Sequence, residues 1–213
     1  MDDFLTERNE IVAACQSFKD KGLTLGSWGN ISRRAGESIL ITPSGRDYAR
    51  LSPADVVLVG RPHRFLPSSE LPLHEAIYRA RPDVQAIVHT HSLYATAFAA
   101  MHESIPALTE DTVQLAGSCI PCASYALAGT EALAEETVKA LDRGFAVLLA
   151  NHGAVACGTS LQQALLFAEL IEKAAHLAAV IRSTQGRAVP LAAEDVETLR
   201  NFYFQHYAKR QDG

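Results

Sequence analysis

One segment of the chain, Phe145–Ala150, has the sequence F-A-V-L-L-A and contains no polar residue. We predict a short strand here. Consecutive side chains of a strand point to opposite faces of the sheet, so a strand without polar residues has to be buried on both faces. The chain is therefore expected to build a sheet layered with helices rather than a bundle of helices alone.

Further strands and helices are predicted from hydrophobic periodicity and from the positions of Gly and Pro. The other predicted strands are Ser38–Thr42, Asp55–Val59, Val84–Thr90 and a segment around Ile120–Tyr125. The predicted helices are Thr6–Lys21, Leu73–Arg81, Leu93–Met101, Thr130–Leu141, Leu161–Ser183 and Glu194–His206. Several strands follow one another without a crossover helix, which favours an α+β fold with a mixed or mainly antiparallel sheet over a doubly wound parallel sheet.

Composition excludes several classes of protein. We find no internal repeat or linker-like stretch in the 213 residues, so a single domain over residues 1–213 is expected. The net charge of −5 gives no electrostatic footprint for nucleic acid or for an anionic membrane. No apolar run is long enough to span a membrane, and the acidic start Met-Asp-Asp-Phe is unlike a signal peptide. A cytoplasmic protein is therefore predicted.

The four cysteines do not form the pattern of a disulfide framework. Cys119 and Cys122 have the C-x-x-C spacing of redox and zinc sites, but they lie in a predicted strand and no second pair accompanies them. We interpret all four as structural residues.

The strongest chemical signal is His89-Thr90-His91 at the end of one predicted strand, together with Asn151-His152-Gly153 at the end of another. Strand residues two apart point to the same side, so His89 and His91 project together. Gly153 allows the backbone beside His152 to approach closely. Three neutral imidazoles with an open fourth position are typical of a catalytic metal site. The alternative is that H-x-H lies on the surface and that His152 is a capping or core residue.

Pro67-Ser68-Ser69-Glu70 contains hydroxyls that suit a phosphate and a carboxylate that suits a cation or proton transfer. The same four residues also fit a helix cap at the start of the next predicted helix. Two small-residue turns, Gly29-Asn30-Ile31-Ser32 and Thr42-Pro43-Ser44-Gly45, have backbone amides that suit an anion. Each of these three segments is a weak signal when it is taken alone.

The order of the motifs is more informative than any one of them. G-N-I-S, T-P-S-G, S-S-E, H-T-H-S and N-H-G occur in this order in the chain, which resembles the class II aldolase/adducin family and in particular its L-fuculose-1-phosphate aldolase branch. The resemblance extends from about Leu5 to Tyr207. It implies a mainly antiparallel nine-stranded sheet flanked by helices, and a homotetramer with active sites at the subunit interfaces.

The resemblance also implies roles for individual residues. The implied metal ligands are His89, His91 and His152, with Glu70 as the acid/base that also ligates the resting ion. The implied phosphate-binding residues are Gly29, Asn30, Ser44, Gly45, Ser68 and Ser69. The donor set suits zinc first, and also manganese, cobalt or iron.

The implied reaction cleaves a ketose 1-phosphate between C3 and C4. Loss of the C4 hydroxyl proton breaks this bond, and a divalent cation stabilises the resulting enediolate as a Lewis acid. Glu70 returns a proton to it, which releases dihydroxyacetone phosphate and an aldehyde. The candidate substrates are 5-deoxyribulose, methylthioribulose and fuculose 1-phosphate.

The chain departs from the fuculose-enzyme pattern at one position. Counting from the His-x-His pair, Glu110 takes the place of the aldehyde-side catalytic tyrosine. Glu110 is predicted to be the acid or base for the C4 hydroxyl, although it also fits the first residue of a helix. Tyr207 falls where the branch has a C-terminal tyrosine that closes over the site.

Two other functions remain open from the sequence. A methylthioribulose-1-phosphate dehydratase would use Glu110 to assist the loss of water. A non-catalytic, adducin-like binding or oligomerisation module would not need the three histidines.

Overall fold

The computed structural model describes residues 3–207, and the side chains of residues 206 and 207 lie outside the described part. The helices are α1 Leu5–Asp20, α2 Leu71–Ala80, α3 Leu93–Met101, α4 Glu110–Ala116, α5 Glu131–Leu141, α6 Leu161–Ser183 and α7 Ala193–Phe202. The strands are β1 Asn30–Ala35, β2 Ser38–Ile41, β3 Val57–Leu58, β4 Ala86–Thr90, β5 Ile105–Pro106, β6 Cys119–Ile120, β7 Cys122–Ala123, β8 Ala146–Leu149 and β9 Gly153–Gly158.

Seven of these strands form one sheet in the order β3-β2-β1-β4-β9-β8-β7. Every neighbouring pair in it is antiparallel except β7 with β8. The mainly antiparallel sheet with flanking helices confirms the predicted fold class. The count of nine strands in one sheet is wrong, because β5 and β6 pair separately as a two-stranded ribbon.

The helices pack against this sheet and bury its apolar strands. The long helix α6 packs along β9 and β4, with α1 and α3 beside it, while α5 packs on β7 and β8. All four residues of β8 are buried, as the apolar sequence predicts. The side chains of Thr130 and Ser160 cap α5 and α6, since they accept hydrogen bonds from the N–H groups of Leu133 and Gln163.

Three strands were not predicted: β1, β9 and the two-residue strand β5. Strand β1, Asn30–Ala35, begins within the predicted turn Gly29–Ser32 and pairs with β2 and with β4. In β9, Gly153–Gly158, all six small or apolar residues are buried in the centre of the sheet between β4 and β8. The sequences of β1 and β9 have weak strand propensity, and hydrogen bonding to a neighbouring strand on each side outweighs it.

Three of the predicted segments are divided or shortened in the structure. The segment Ile120–Tyr125 is divided between β6 and β7, since Pro121 has no N–H group for a strand ladder. Only Val57 and Leu58 of Asp55–Val59 form a strand, and the chain before them makes a turn of 3₁₀ helix. The last predicted helix, Glu194–His206, is α7 followed by a single π-helical turn.

Within residues 3–207, none of the helices combines the length and the apolar character that crossing a membrane requires. The four cysteines are free thiols, in agreement with the sequence.

Candidate metal centre and substrate cavity

Strand pairing brings the separate sequence motifs to one end of the sheet. Asn30, the first residue of β1, lies directly opposite His89 of β4. Thr90, the last residue of β4, lies opposite Ala154 of β9. His152 immediately precedes β9, so it meets the end of β4 although it is far away in sequence.

Two glycines make this convergence possible. A Cβ atom on Gly153 would lie 2.2 Å from the Thr90 carbonyl oxygen, and one on Gly29 would lie 2.4 Å from the His89 carbonyl oxygen. Gly29 also has a φ angle of 72°, in the left-handed region. Both neighbouring backbones therefore approach the end of β4 more closely than a side chain would permit.

The imidazoles of His89, His91 and His152 converge. One ring nitrogen of each lies within 4.8 Å of those of the other two. The Nε2 atoms of His89 and His91 are 2.9 Å apart. The predicted convergence of these three side chains is thereby confirmed.

The link between β4 and α3 holds His91. Its backbone N–H donates a hydrogen bond of 3.2 Å to the Leu23 carbonyl oxygen. In the first turn of α3, the N–H groups of Tyr94 and Ala95 each donate a hydrogen bond of 2.9 Å to the Glu172 carboxylate of α6. This carboxylate satisfies donors that a helix N-terminus otherwise leaves unpaired.

Glu70 immediately precedes α2 and faces the histidines. Its Oε2 lies 3.0 Å from His89 Nε2, and its Oε1 lies 3.3 Å from His152 Nε2. The side-chain amide of Asn30 donates a hydrogen bond of 2.8 Å to Oε2. Glu70 is 7% exposed, so the carboxylate is almost removed from solvent.

Burial and charge set the protonation of these groups in the metal-free protein. Burial disfavours the Glu70 carboxylate, but His89, His152 and the Asn30 amide outweigh burial and hold the pKa of Glu70 below its ordinary range. Burial, together with the neighbouring imidazoles, lowers the pKa of His91 to about 3 and that of His152 to about 4. His89 is also buried, but the Glu70 carboxylate raises its pKa. His91 and His152 are therefore neutral near pH 7, the form that binds metal.

The donor groups fit a divalent cation. His89 Nδ1 lies 3.0 Å from the Ala154 carbonyl oxygen, and its N–H donates to that oxygen, which aims Nε2 at Glu70 and His91. Glu70 Oε1 and His152 Nδ1 are buried and have no hydrogen-bond partner within the described part of the chain. Three imidazole nitrogens and a carboxylate that face one another are a donor set that suits a divalent cation.

Beside the histidines lies a cavity of about 200 Å³. It is lined by Ser27, Trp28, Gly29, Asn30, Pro43, Ser44, Gly45, Ser68, Ser69, Glu70, His91, Ala128 and His152. All six residues that the resemblance assigns to phosphate binding are among them. Of the described residues, none that lines this cavity is Lys or Arg.

Two loops form one wall of this cavity and are hydrogen-bonded to each other. The N–H of Ser44 donates to the Leu66 carbonyl oxygen over 3.0 Å, and the N–H of Ser68 donates to the Thr42 carbonyl oxygen over 3.1 Å. These two hydrogen bonds hold together the serine-containing segments 42–45 and 67–70, which are far apart in the sequence. The alternative interpretation of Pro67–Glu70 as a helix cap is only partly correct. Glu70 occupies the N-cap position of α2, but its side chain makes no capping hydrogen bond to the helix.

Glu110 does not line this cavity. It is exposed and is the first residue of α4, the position that its alternative interpretation as a helix start predicts. Tyr207 ends the π-helical turn, and its side chain lies outside the described residues. A larger open groove of about 680 Å³ lies elsewhere, between α1 and the start of α6, and contains none of the three histidines.

Sequence reasoning missed two residues of this region. The Trp28 ring meets the edge of His91, with 5.5 Å between ring centroids. His74 is fully buried and lies beside Asn30. A lone tryptophan in a loop and a lone histidine in a helix give no sequence signal that separates them from ordinary structural residues.

Comparison with known proteins gives relatives over most of the chain. The sequence is 38% identical over 179 residues to L-fuculose phosphate aldolase of Escherichia coli strain K12, which covers 80% of this chain and 83% of that protein. It is 39% identical over 178 residues to 5-deoxy-D-ribulose 1-phosphate aldolase of Bacillus thuringiensis serovar kurstaki, which covers 80% of this chain and 83% of that protein.

A solved structure shares the fold. The chain superimposes on an L-fuculose 1-phosphate aldolase with a TM-score of 0.88 and 32% sequence identity, which covers 92% of this chain and 95% of the other. Residues 9–179 match the family described as Class II Aldolase and Adducin N-terminal domain. The chain therefore belongs to the class II aldolase/adducin family.

Proposed function

We propose that this protein is a divalent-metal-dependent lyase that cleaves a small ketose 1-phosphate between C3 and C4. The products are dihydroxyacetone phosphate and an aldehyde. The observation that carries this proposal is the convergence of His89, His91, His152 and Glu70 at the edge of a cavity with a serine-rich wall. The family and the relatives that act on fuculose and deoxyribulose phosphates support the same reaction class.

His89, His91 and His152 hold the cation, and Glu70 completes its ligand set in the absence of substrate. When bound, the cation supplies a Lewis acid that withdraws electron density from substrate oxygens. Zinc is the proposed ion, because three imidazoles and a carboxylate are ligands that it prefers. Manganese, cobalt and iron fit the same donors.

Glu70 carries the proton at C3. In the cleavage direction Glu110 takes the C4 hydroxyl proton and the carboxylic acid of Glu70 gives a proton to C3 of the three-carbon product. In the condensation direction the Glu70 carboxylate removes the C3 proton and Glu110 returns a proton to the C4 oxygen. The buried Oε1 of Glu70, which accepts no hydrogen bond within the described structure, is the oxygen available for the transfer at C3. Oε2 is occupied by the Asn30 amide.

The phosphate lies against Gly29, Asn30 and the two serine-containing loops with Ser44, Gly45, Ser68 and Ser69. The cavity wall offers hydroxyl and amide donors but no Lys or Arg among the described residues. Neutral donors can bind a phosphate when they are preorganised, and the paired loops provide that order.

Glu110 and Tyr207 complete the site from a second copy of the chain in a homotetramer. Glu110 is exposed and does not line the cavity of its own chain. Exposed apolar side chains, among them Trp28 and Leu127, lie in or next to the cavity lining. An exposed apolar surface of this kind is typical of a protein interface.

Dihydroxyacetone phosphate release tests this proposal. The protein is stripped with a chelator, given back zinc and incubated with 5-deoxyribulose 1-phosphate. We expect zinc to restore release in the wild type and in Glu75→Gln, a control that removes a carboxylate of α2 away from the cavity. Glu70→Gln is expected to reduce the rate by at least about a hundredfold. Equal rates with and without metal, or a near-normal rate for Glu70→Gln, would contradict the proposal.

A further inference from the structure

A chain of buried hydrogen bonds runs from Glu70 into the protein interior. Asn30 Nδ2 lies 2.8 Å from Glu70 Oε2, and Asn30 Oδ1 is hydrogen-bonded to His74 Nε2. His74 Nδ1 lies 2.6 Å from Ser32 Oγ, which lies 2.8 Å from the Tyr78 hydroxyl oxygen. All five side chains are buried, and those of His74 and Ser32 are fully buried.

The direction of each bond follows from the Glu70 end. Asn30 Nδ2 lies within hydrogen-bond distance of Glu70 Oε2, and an amide nitrogen can only donate, so Oε2 accepts this bond. The group of Asn30 that faces Glu70 is therefore its NH₂ group. This leaves Asn30 Oδ1 facing His74, and Nε2 of His74 has to carry the hydrogen that Oδ1 accepts.

The hydrogen bonds at the other end of the series, between His74, Ser32 and Tyr78, agree with this direction. Burial lowers the pKa of His74 to about 3, so the imidazole is neutral and carries only one N–H group. With the hydrogen on Nε2, Nδ1 accepts the Ser32 hydroxyl proton, and Ser32 Oγ then accepts the Tyr78 hydroxyl proton. Burial keeps the Tyr78 hydroxyl protonated by raising its pKa. In this series of hydrogen bonds, each donor therefore points toward Glu70.

We propose that His74 is a positioning residue whose Nε2–H fixes the side-chain amide of Asn30 in the orientation that holds Glu70 Oε2. Without this donor the Asn30 amide can rotate by 180°, which brings Oδ1 against Oε2 and pushes the carboxylate away. This inference rests on the proposed function of Glu70 and extends it to the residues behind it.

Simple core filling is the competing explanation, because His74 is as fully buried as Ile77 on the same helix. The two explanations differ in which atom of His74 matters. Gln at this position can place an amide nitrogen near Nε2, whereas Asn can place its polar atoms only near Nδ1. Both variants remove the ring, so a purely structural role predicts similar losses for the two.

The test compares His74→Gln with His74→Asn. The affinity of the metal-free protein for Co²⁺ is measured by titration, together with kcat, KM and the melting temperature. We expect His74→Gln to keep Co²⁺ affinity and kcat within about threefold of wild type, and His74→Asn to lose about 10–100-fold in both, the range for partners behind metal ligands. The melting temperatures of the two variants should fall by similar amounts.

Equal Co²⁺ affinities in the two variants would overturn the proposal, as would losses that follow the melting temperature. If neither variant folds, Ser32→Ala removes the hydroxyl that fixes the hydrogen on Nε2, and a Co²⁺ affinity equal to wild type would overturn it. Failure of the proposed function is seen separately, because wild-type protein would then bind no Co²⁺ or release no dihydroxyacetone phosphate.

Discussion

The stability of the protein in acid should depend on His74 in a way that can be isolated. His74 is fully buried between Asn30 and Ser32, and burial lowers its pKa from an ordinary 6.5 to about 3. In the unfolded chain the same imidazole takes up a proton near its ordinary pKa. Between these two values the unfolded state binds more protons than the folded state, so the free energy of unfolding falls as the pH falls.

The size of the effect follows from the two pKa values. With 6.5 in the unfolded chain and about 3 in the folded protein, lowering the pH from 7 to 5 costs about 2 kcal/mol per chain through His74. The loss begins near pH 6.5 and ends near pH 3, below which both states are protonated. Gln at position 74 does not titrate, so His74→Gln lacks this contribution.

Urea unfolding of the metal-free proteins, followed by circular dichroism at pH 7, 6 and 5 and one protein concentration, measures the effect. We expect His74→Gln to be less stable than wild type at pH 7 and the difference to narrow by about 2 kcal/mol at pH 5. Ser32→Ala is the control, because it removes a hydrogen bond of the same buried chain but keeps the imidazole. Its pH dependence should follow that of wild type.

Parallel stability curves for wild type and His74→Gln would refute this reasoning. They would mean that His74 takes up its proton at the same pH in the folded and in the unfolded protein. Below that pH both ring nitrogens would be donors, and the bond directions from Tyr78 to Glu70 could not be assigned as above.

Three further substitutions and one solution measurement test other parts of the account. Gly153→Ala places a Cβ 2.2 Å from the Thr90 carbonyl oxygen. We expect the free energy of unfolding, measured with urea, to fall by about 1–3 kcal/mol and Co²⁺ binding to weaken. Unchanged stability would contradict the close approach of β9 to β4. His91→Ala should weaken Co²⁺ binding by more than about a hundredfold, and wild-type affinity would remove His91 from the ligand set. Glu110→Gln should lower kcat by at least about a hundredfold, whereas a loss below about tenfold would leave Glu110 as a helix-start residue. Light scattering should give the mass of four chains, and a monomer would contradict the proposed interface.

The sequence predicts the helices of this fold better than its strands. The predicted bounds of α3 and α6 match those of the structure, because apolar periodicity and caps are properties of the local sequence. Strand β9 consists of small residues and forms because β4 and β8 pair with it on both sides. No local pattern contains that information, so β9 could not be predicted before its neighbours were known.

The candidate site shows the same division. The i, i+2 spacing of His89 and His91 predicts their shared direction, and this convergence is seen in the structure. The position of Asn30 opposite His89 depends on strand register, which the motif G-N-I-S does not reveal. His74 carries no motif, and only its hydrogen bonds to Asn30 and Ser32 single it out. The contacts of Asn30 and His74 could not be predicted because they depend on pairing between residues that are far apart in the sequence.

Product analysis tests the central claim most directly. Zinc-loaded protein is incubated separately with 5-deoxyribulose, methylthioribulose and fuculose 1-phosphate, and all products are identified by mass spectrometry. Our account predicts dihydroxyacetone phosphate and an aldehyde in equal amounts from at least one of them, with a two-carbon aldehyde from 5-deoxyribulose 1-phosphate. A product lighter than methylthioribulose 1-phosphate by one water would instead identify a dehydratase. Three unchanged substrates would contradict the proposed cleavage and favour a binding module.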